Sequence, residues 1–223
     1  GDTLYLGACT KGANKKSLRS QPFSGLPAMQ RAFSLKSKYL NFIIENELKS
    51  QKSIKQYKID ETLDLAAEPS VSYGKIIPYT EPVVKSTKEY SKGETFEDII
   101  TKRFSEYYGM SEKQLAKKFG IKEGDAKNRY YSLARAIVGV KKGKIEEFEK
   151  ADIILKTIRL QNNTMPKESM SFAQIKYKEI IKERWEDSYL FEMLTKRFFF
   201  VVFQMKDGKD KNPILKKVMF WTM

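Results

Sequence analysis

Glu147-Phe-Glu-Lys-Ala-Asp152-Ile-Ile-Leu-Lys-Thr-Ile158 passes from an acidic run straight into a β-branched, apolar one. From Ala151 to Leu160 the residues are apolar on alternate and on adjacent positions, which predicts a strand covered on both faces. Its two-residue period places Ile154 and Lys156 on the same face. Two further runs have the same character, Phe198 to Met205 and Ile214 to Thr222, joined by a polar loop around Asp207-Gly208. Strands of this kind need cover on both sides, so a central sheet flanked by helices is predicted, an α/β fold.

Upstream lie the helices. Thr95-x-x-Asp98 has capping-box spacing, and Phe96, Ile99, Ile100, Phe104 and Tyr107 make an apolar stripe behind it. Ser111-x-x-Gln114 begins a second helix carrying Leu115, Ala116 and Phe119 and stopping at Gly120. A third is predicted from about Asp125 to Val138, with Tyr131, Leu133, Ala134 and Ile137 inward and Gly139 as its stop. Helical spacing also runs through Ile180, Ile181, Trp185, Tyr189 and Met193, predicting a helix from Lys176 to Leu194. Nearer the start, Asp2 to Gly12 reads as a strand, Lys11 to Arg19 as a polar loop, and Ser34 to Leu48 as a helix. The stretch from about 69 to 92, punctuated by Pro69, Gly74, Pro78 and Pro82, reads as a linker, an edge strand or a functional loop. The apolar strand pattern runs up to Met223, which suggests a fragment of a longer protein.

Charge dominates the composition, with a formal +14 over 223 residues. Such an excess attracts polyanions, and nucleic acid is the favoured class; no apolar run is long enough to span a bilayer. One cysteine, Cys9, excludes an internal disulfide framework and fits a reducing cytoplasm. The absence of histidine removes Ser-His-Asp and Cys-His catalysis and imidazole metal ligands. Any chemistry is left to carboxylates, lysines, hydroxyls and an oxygen-bound metal such as magnesium.

Several constellations suit such a partner. Ser111 to Val138 has the layout of a helix-turn-helix whose second helix carries Lys127, Asn128 and Arg129, or of the commoner arrangement, two packed helices joined at a glycine. Tyr130, Tyr131 and Phe198-Phe-Phe200 suit base stacking, although phenylalanines among valines more readily fill a core. On the Ala151–Leu160 strand, a metal-dependent nuclease needs a carboxylate two residues before the lysine, to hold magnesium while the lysine orients water. Here that position is Ile154, which cannot ligate magnesium.

These residues resemble the MutH mismatch-repair nuclease and its restriction-enzyme relatives. Ile153-Ile-Leu-Lys-Thr-Ile158 is similar to the family strand hydrophobic-Glu-Leu-Lys-Thr-Ile. Leu133-Ala-Arg-Ala-Ile-Val-Gly139 is similar to its Leu-Leu-Glu-x-x-Leu-Gly helix, and Leu194-Thr-Lys-Arg-Phe-Phe-Phe200 to its Leu-x-Lys-Arg strand. The opening, Leu4 to Gly12 with Lys16-Ser-Leu-Arg19 and Ala32-Phe-Ser-Leu-Lys36, resembles the C-terminal half of GATC-cutting type II restriction endonucleases built from two MutH-like halves.

The resemblance implies a restriction-endonuclease-like (MutH-like) fold, with a central mixed sheet flanked by helices and residues 1–223 as one domain. It places the family's three lysines at Lys127, Lys156 and Lys196, all present. Its helix glutamate falls on Arg135, its metal-binding aspartate on Glu147 and its strand glutamate on Ile154. Catalysis by this half is then not expected. Lys127, Arg129, Arg135, Lys156 and Lys196 are the expected DNA contacts. No metal or other cofactor is expected here, magnesium being needed by the full-length enzyme. The implied partners are double-stranded DNA containing GATC, the N-terminal catalytic half of the same protein, and a second copy on DNA. The family's base-reading loop follows the strand that ends at Trp221-Thr-Met223. The implied role is an effector half that binds a second recognition site. Alternatives are an active magnesium endonuclease using Glu147, Glu149 and Asp152, a helix-turn-helix binder, or a protein-interaction module.

Overall fold

The computed structural model describes residues 5–11, 17–49, 80–86, 89–91, 93–121, 128–140, 143–161, 165–205 and 212–223. Its elements are β1 (Leu6–Thr10), β2 (Leu18–Gln21), β3 (Ser24–Met29), β4 (Arg31–Leu35), α1 (Ser37–Lys49), β5 (Thr80–Glu81), α2 (Phe96–Ser105), α3 (Glu112–Phe119), α4 (Arg129–Ile137), β6 (Lys144–Ile145), α5 (Glu146–Lys150), β7 (Ile153–Leu160), β8 (Met170–Gln174), α6 (Tyr177–Ile180), α7 (Tyr189–Thr195), β9 (Arg197–Gln204) and β10 (Ile214–Trp221).

The central sheet has the order β10-β9-β7. β9 runs antiparallel to β10 and parallel to β7, the latter in register from Ile153 opposite Arg197 to Leu160 opposite Gln204. It is therefore a mixed sheet, and the chain is α/β. Residues 198–203 of β9 are all buried, and their alternation feeds two cores. Phe199, Val201 and Phe203 join Ile100, Phe104, Leu115, Leu133 and Phe148 on the side of α2 to α5. Phe198, Phe200 and Val202 join Leu35, Leu40, Ile44 and Phe172 on the other. Each fully buried side chain of this size contributes about 1.5–3 kcal/mol, so this strand is a main source of the fold's stability. The aromatic run is core, as its valine neighbours suggested.

The second flank departs from the expected layer of helices. α1 is there, but beside it lies a second sheet of order β1-β4-β8, antiparallel throughout. β4 and β8, along with the β2–β3 ribbon, were not predicted. Another correction concerns the helix expected from Lys176 to Leu194, which is two short helices, α6 and α7. Ile181 and Trp185, two of the apolar positions that suggested it, are exposed, so no buried face holds a continuous helix there.

Both capping boxes formed. Thr95 Oγ1 accepts from Asp98 N at 3.2 Å while Asp98 Oδ2 accepts from Thr95 N at 2.9 Å. Ser111 and Gln114 make the same exchange, and α3 ends at Gly120 in the left-handed region, φ 65°. The third helix is described from Arg129; its expected beginning at Asp125, with Lys127, lies outside the described residues, as do most of the 69–92 stretch and the Asp207-Gly208 loop. Only the last part of that stretch is seen, where β5 pairs with β6 in parallel.

Candidate functional site at the outer strand of the central sheet

β7 is the terminal strand of its sheet, and two adjoining clefts open along it. One, of about 330 Å³, is lined by Ile154, Asp152, Glu149, Lys144 and Lys196; the other by Lys156, Asn128, Arg159 and Ser171. Tyr131 and Leu155 belong to both. Ile154 and Lys156 do share a face of the strand, the one turned toward β8 and α1.

Lys156 is deeply set on that face. Its ammonium donates to the Ser171 carbonyl of β8 at 3.1 Å and lies 5.7 Å from the centre of the Phe172 ring. Lys11, at the end of β1, donates to the next carbonyl along, that of Phe172, at 2.6 Å. Burial, and behind it the Lys11 charge, holds the Lys156 amine below the usual lysine range. Lys196 sits in the opposite circumstance. It pairs with Glu192 at 3.0 Å and Asp152 at 3.3 Å, and the hydrogen bond it donates to Glu192 leads in raising its pKa. Asp152 has a φ of 51°, a left-handed turn that aspartate tolerates, immediately before β7. Lys196 immediately precedes β9, so this pair pins together the starts of the two parallel strands.

The remaining positions are turned to structural use. Glu147 accepts from Val83 N at 2.9 and 3.0 Å through its two oxygens and from Val84 N at 2.9 Å, holding the 80–86 segment onto α5. Arg135 donates to the Gly143 carbonyl and stacks over Tyr131, with 5.2 Å between guanidinium and ring centre. Arg129 forms an ion pair with Glu112, the two side chains only 15% and 9% exposed, and the Tyr130 hydroxyl donates to the same carboxylate at 3.0 Å. Desolvation, then the Glu112 charge, pushes the Tyr130 pKa up to about 12. As described, α3 and α4 are joined by a buried ionic lock, and Arg129 points into the protein, not out from a recognition helix.

The clefts thus gather Lys156, Lys196 and Ile154; Glu147, Arg135 and Arg129 face elsewhere, and Lys127 lies outside the described residues. Reasoning from the sequence did not assign Lys11, Arg159 or Glu112 to the site; Asp152 was named only as a displaced metal ligand.

Magnesium, which the family resemblance brings with it, does not fit these side chains. Glu147 is occupied by three backbone N–H contacts, Glu149 pairs with Lys144 at 2.6 Å, and Ile154 and Arg135 are no ligands. Among the described residues no group of three or more Asp, Glu or Cys converges as a metal site would require.

Against this geometry, residues 140–223 match the family described as DNA mismatch repair enzyme MutH. This segment is MutH-like. The fold, with its mixed central sheet, is restriction-endonuclease-like. The MutH-like segment contains Glu147, Ile154, Lys156 and Lys196, while Arg135 and Lys127 precede it. Over its whole length the chain is also 36% identical to the type II restriction enzyme Sau3AI of Staphylococcus aureus, across 236 aligned positions. It spans 42% of that protein. Among the described residues no helix is long and apolar enough to cross a membrane.

Proposed function

We propose that this chain is the DNA-holding, non-cleaving MutH-like half of a GATC-specific type II restriction endonuclease. In this reading it is an effector, engaging a second recognition site while the N-terminal half cuts. The observation that carries it is Glu147: the sole carboxylate at the three acidic positions is turned to the amides of Val83 and Val84. Arg135 and Ile154 stand at the other two. With the cationic positions kept and the acidic ones lost or reassigned, phosphate is attracted but no magnesium-bound water is made. Lys127, Lys156 and Lys196 are the proposed DNA contacts, whereas Arg129 and Arg135 are turned to protein partners.

An effector of this kind works by tethering. Once one half holds a site, the other meets its own at a raised local concentration, favouring a looped or DNA-paired assembly. The test uses a protein carrying both halves and plasmids with one or two GATC sites. Deleting this half, or replacing Lys156 and Lys196 with alanine, is expected to abolish the preference for two sites. Unchanged two-site preference overturns the effector role. Magnesium-dependent nicking by this chain alone overturns its non-cleaving character.

A further inference from the structure

Between Thr3 and Ile44 the chain has no acidic residue but seven basic ones, Lys11, Lys15, Lys16, Arg19, Arg31, Lys36 and Lys38. Half of the net charge of +14 therefore comes from less than a fifth of the sequence. Within this acid-free stretch the β2–β3 ribbon stands away from both cores. Phe23 at its turn is 88% exposed and Leu26 75% exposed, and Leu18 and Met29 are also on the surface. Leu18 lies opposite Met29 on an exposed face, while Arg19 lies opposite Ala28 on the other, beside β8 and α6.

The base of the ribbon is firmly held. Arg19 donates to Gln30 at 3.1 Å and to Gln174 at 2.7 Å, and the Tyr177 hydroxyl donates to the Met29 carbonyl at 2.6 Å. At the tip, Gln21 donates to the Leu26 carbonyl at 2.7 Å and Leu26 N to the Ser24 hydroxyl at 3.1 Å. A lone two-stranded ribbon is marginal in water, so such bracing preserves a projecting shape at the cost of exposed apolar surface.

We infer that the β2–β3 ribbon enters a groove of duplex DNA tip first, with Phe23 and Leu26 against the bases. The exposed Arg31 and Lys38 of the flanking acid-free segment lie toward the phosphates. The major groove admits a two-stranded ribbon, and apolar side chains at such a tip serve as wedges or as contacts to base methyls. A protein strand adding to the ribbon is disfavoured, because Pro22 at the turn and Pro27 within β3 offer no N–H for pairing. The absence of carboxylates over the same stretch is complementary to phosphate.

This inference rests on the chain holding DNA, and the experiment separates the two. The full chain, its Phe23→Ala/Leu26→Ala variant and a chain with p-benzoylphenylalanine at position 23 are titrated with short GATC-containing and scrambled duplexes. The double variant is expected to bind both duplexes roughly five- to a hundredfold more weakly, the loss associated with removing an aromatic–base contact. The photoreactive chain is expected to crosslink to DNA. Binding of wild type with no loss in the variant and no DNA crosslink overturns the ribbon contact and leaves the DNA-holding reading standing. Crosslinking to a second copy of the chain instead assigns the ribbon to self-association and overturns the inference. Failure of wild type to bind either duplex overturns both. Both substitutions are at exposed positions, and an unchanged thermal midpoint confirms that folding is not the cause.

Discussion

The clefts beside β7 and the β2–β3 ribbon both carry basic residues, yet they are built in opposite ways. Around β7 the charged groups have protein partners: Lys196 has two carboxylates, Arg129 has Glu112, Arg135 the Gly143 carbonyl, and Lys156 the Ser171 carbonyl. The ribbon carries apolar side chains on both faces, and its stretch of sequence holds no carboxylate at all. Around β7 the polar side chains are turned to internal contacts. Substitutions at the internally paired Glu112, Arg129 and Glu147 are therefore expected to act mainly on stability, and those on the ribbon mainly on binding.

The largest stability effect belongs to the buried pair. Glu112→Ala removes the buried ion pair with Arg129 between α3 and α4 and the acceptor of the Tyr130 hydroxyl, and is expected to cost about 3–5 kcal/mol in urea unfolding. Replacing both, Glu112→Leu with Arg129→Met, is expected to recover most of that loss. If the double replacement stays as unstable as the single one, the ion pair is more than a packing device. Next comes Glu147→Ala, which deprives the Val83 and Val84 amides of their acceptor. About 2–3 kcal/mol is expected, in the range of hydrogen bonds to a charged group, with faster amide exchange confined first to residues 80–86. Little change there would leave Glu147 available for another role and break the contrast drawn above.

A smaller effect follows the sign of the Lys156 shift. Its folded pKa lies below the unfolded value of 10.5, so the unfolded chain binds more protons between those two values. Stability contributed by this residue therefore rises with pH across that alkaline window. Its burial cost is felt in full below the folded pKa. The difference in unfolding free energy between wild type and Lys156→Met is expected to shift toward wild type as pH rises through it; a flat difference would mean that the amine is solvated. The smallest effect is at the ribbon tip, where Phe23→Ser is expected to change stability by no more than about 0.5 kcal/mol.

How legible this was depended on whether a residue's setting is local. Capping boxes at Thr95 and Ser111 are written within four residues, and both formed. Residues 198–203 announced a buried strand because no other setting suits so many consecutive large apolar side chains. The ribbon was not legible: Leu18, Phe23 and Leu26 are apolar but exposed, and prolines and glycine interrupt them. The helix from Lys176 failed for a related reason, since helical spacing of apolar residues signals a helix only where a surface receives them. At the site, the pairing of Ile154 and Lys156 on one face followed from the strand period. The fate of Glu147 did not, because its partners lie 64 and 63 positions away.

β9 divides its side chains between two cores, and that has a consequence for how the chain is made. Each core draws on residues before 116 and on β9, after residue 196, so neither can close until β9 has left the ribosome. The early segments, β1, β4 and α1 among them, must wait with their apolar faces uncovered, in the manner of slow, high-contact-order folders. Residues 140–223, the segment that matches the MutH family, contain only part of each core. Expressed alone, they would present the bare sides of β9 to solvent.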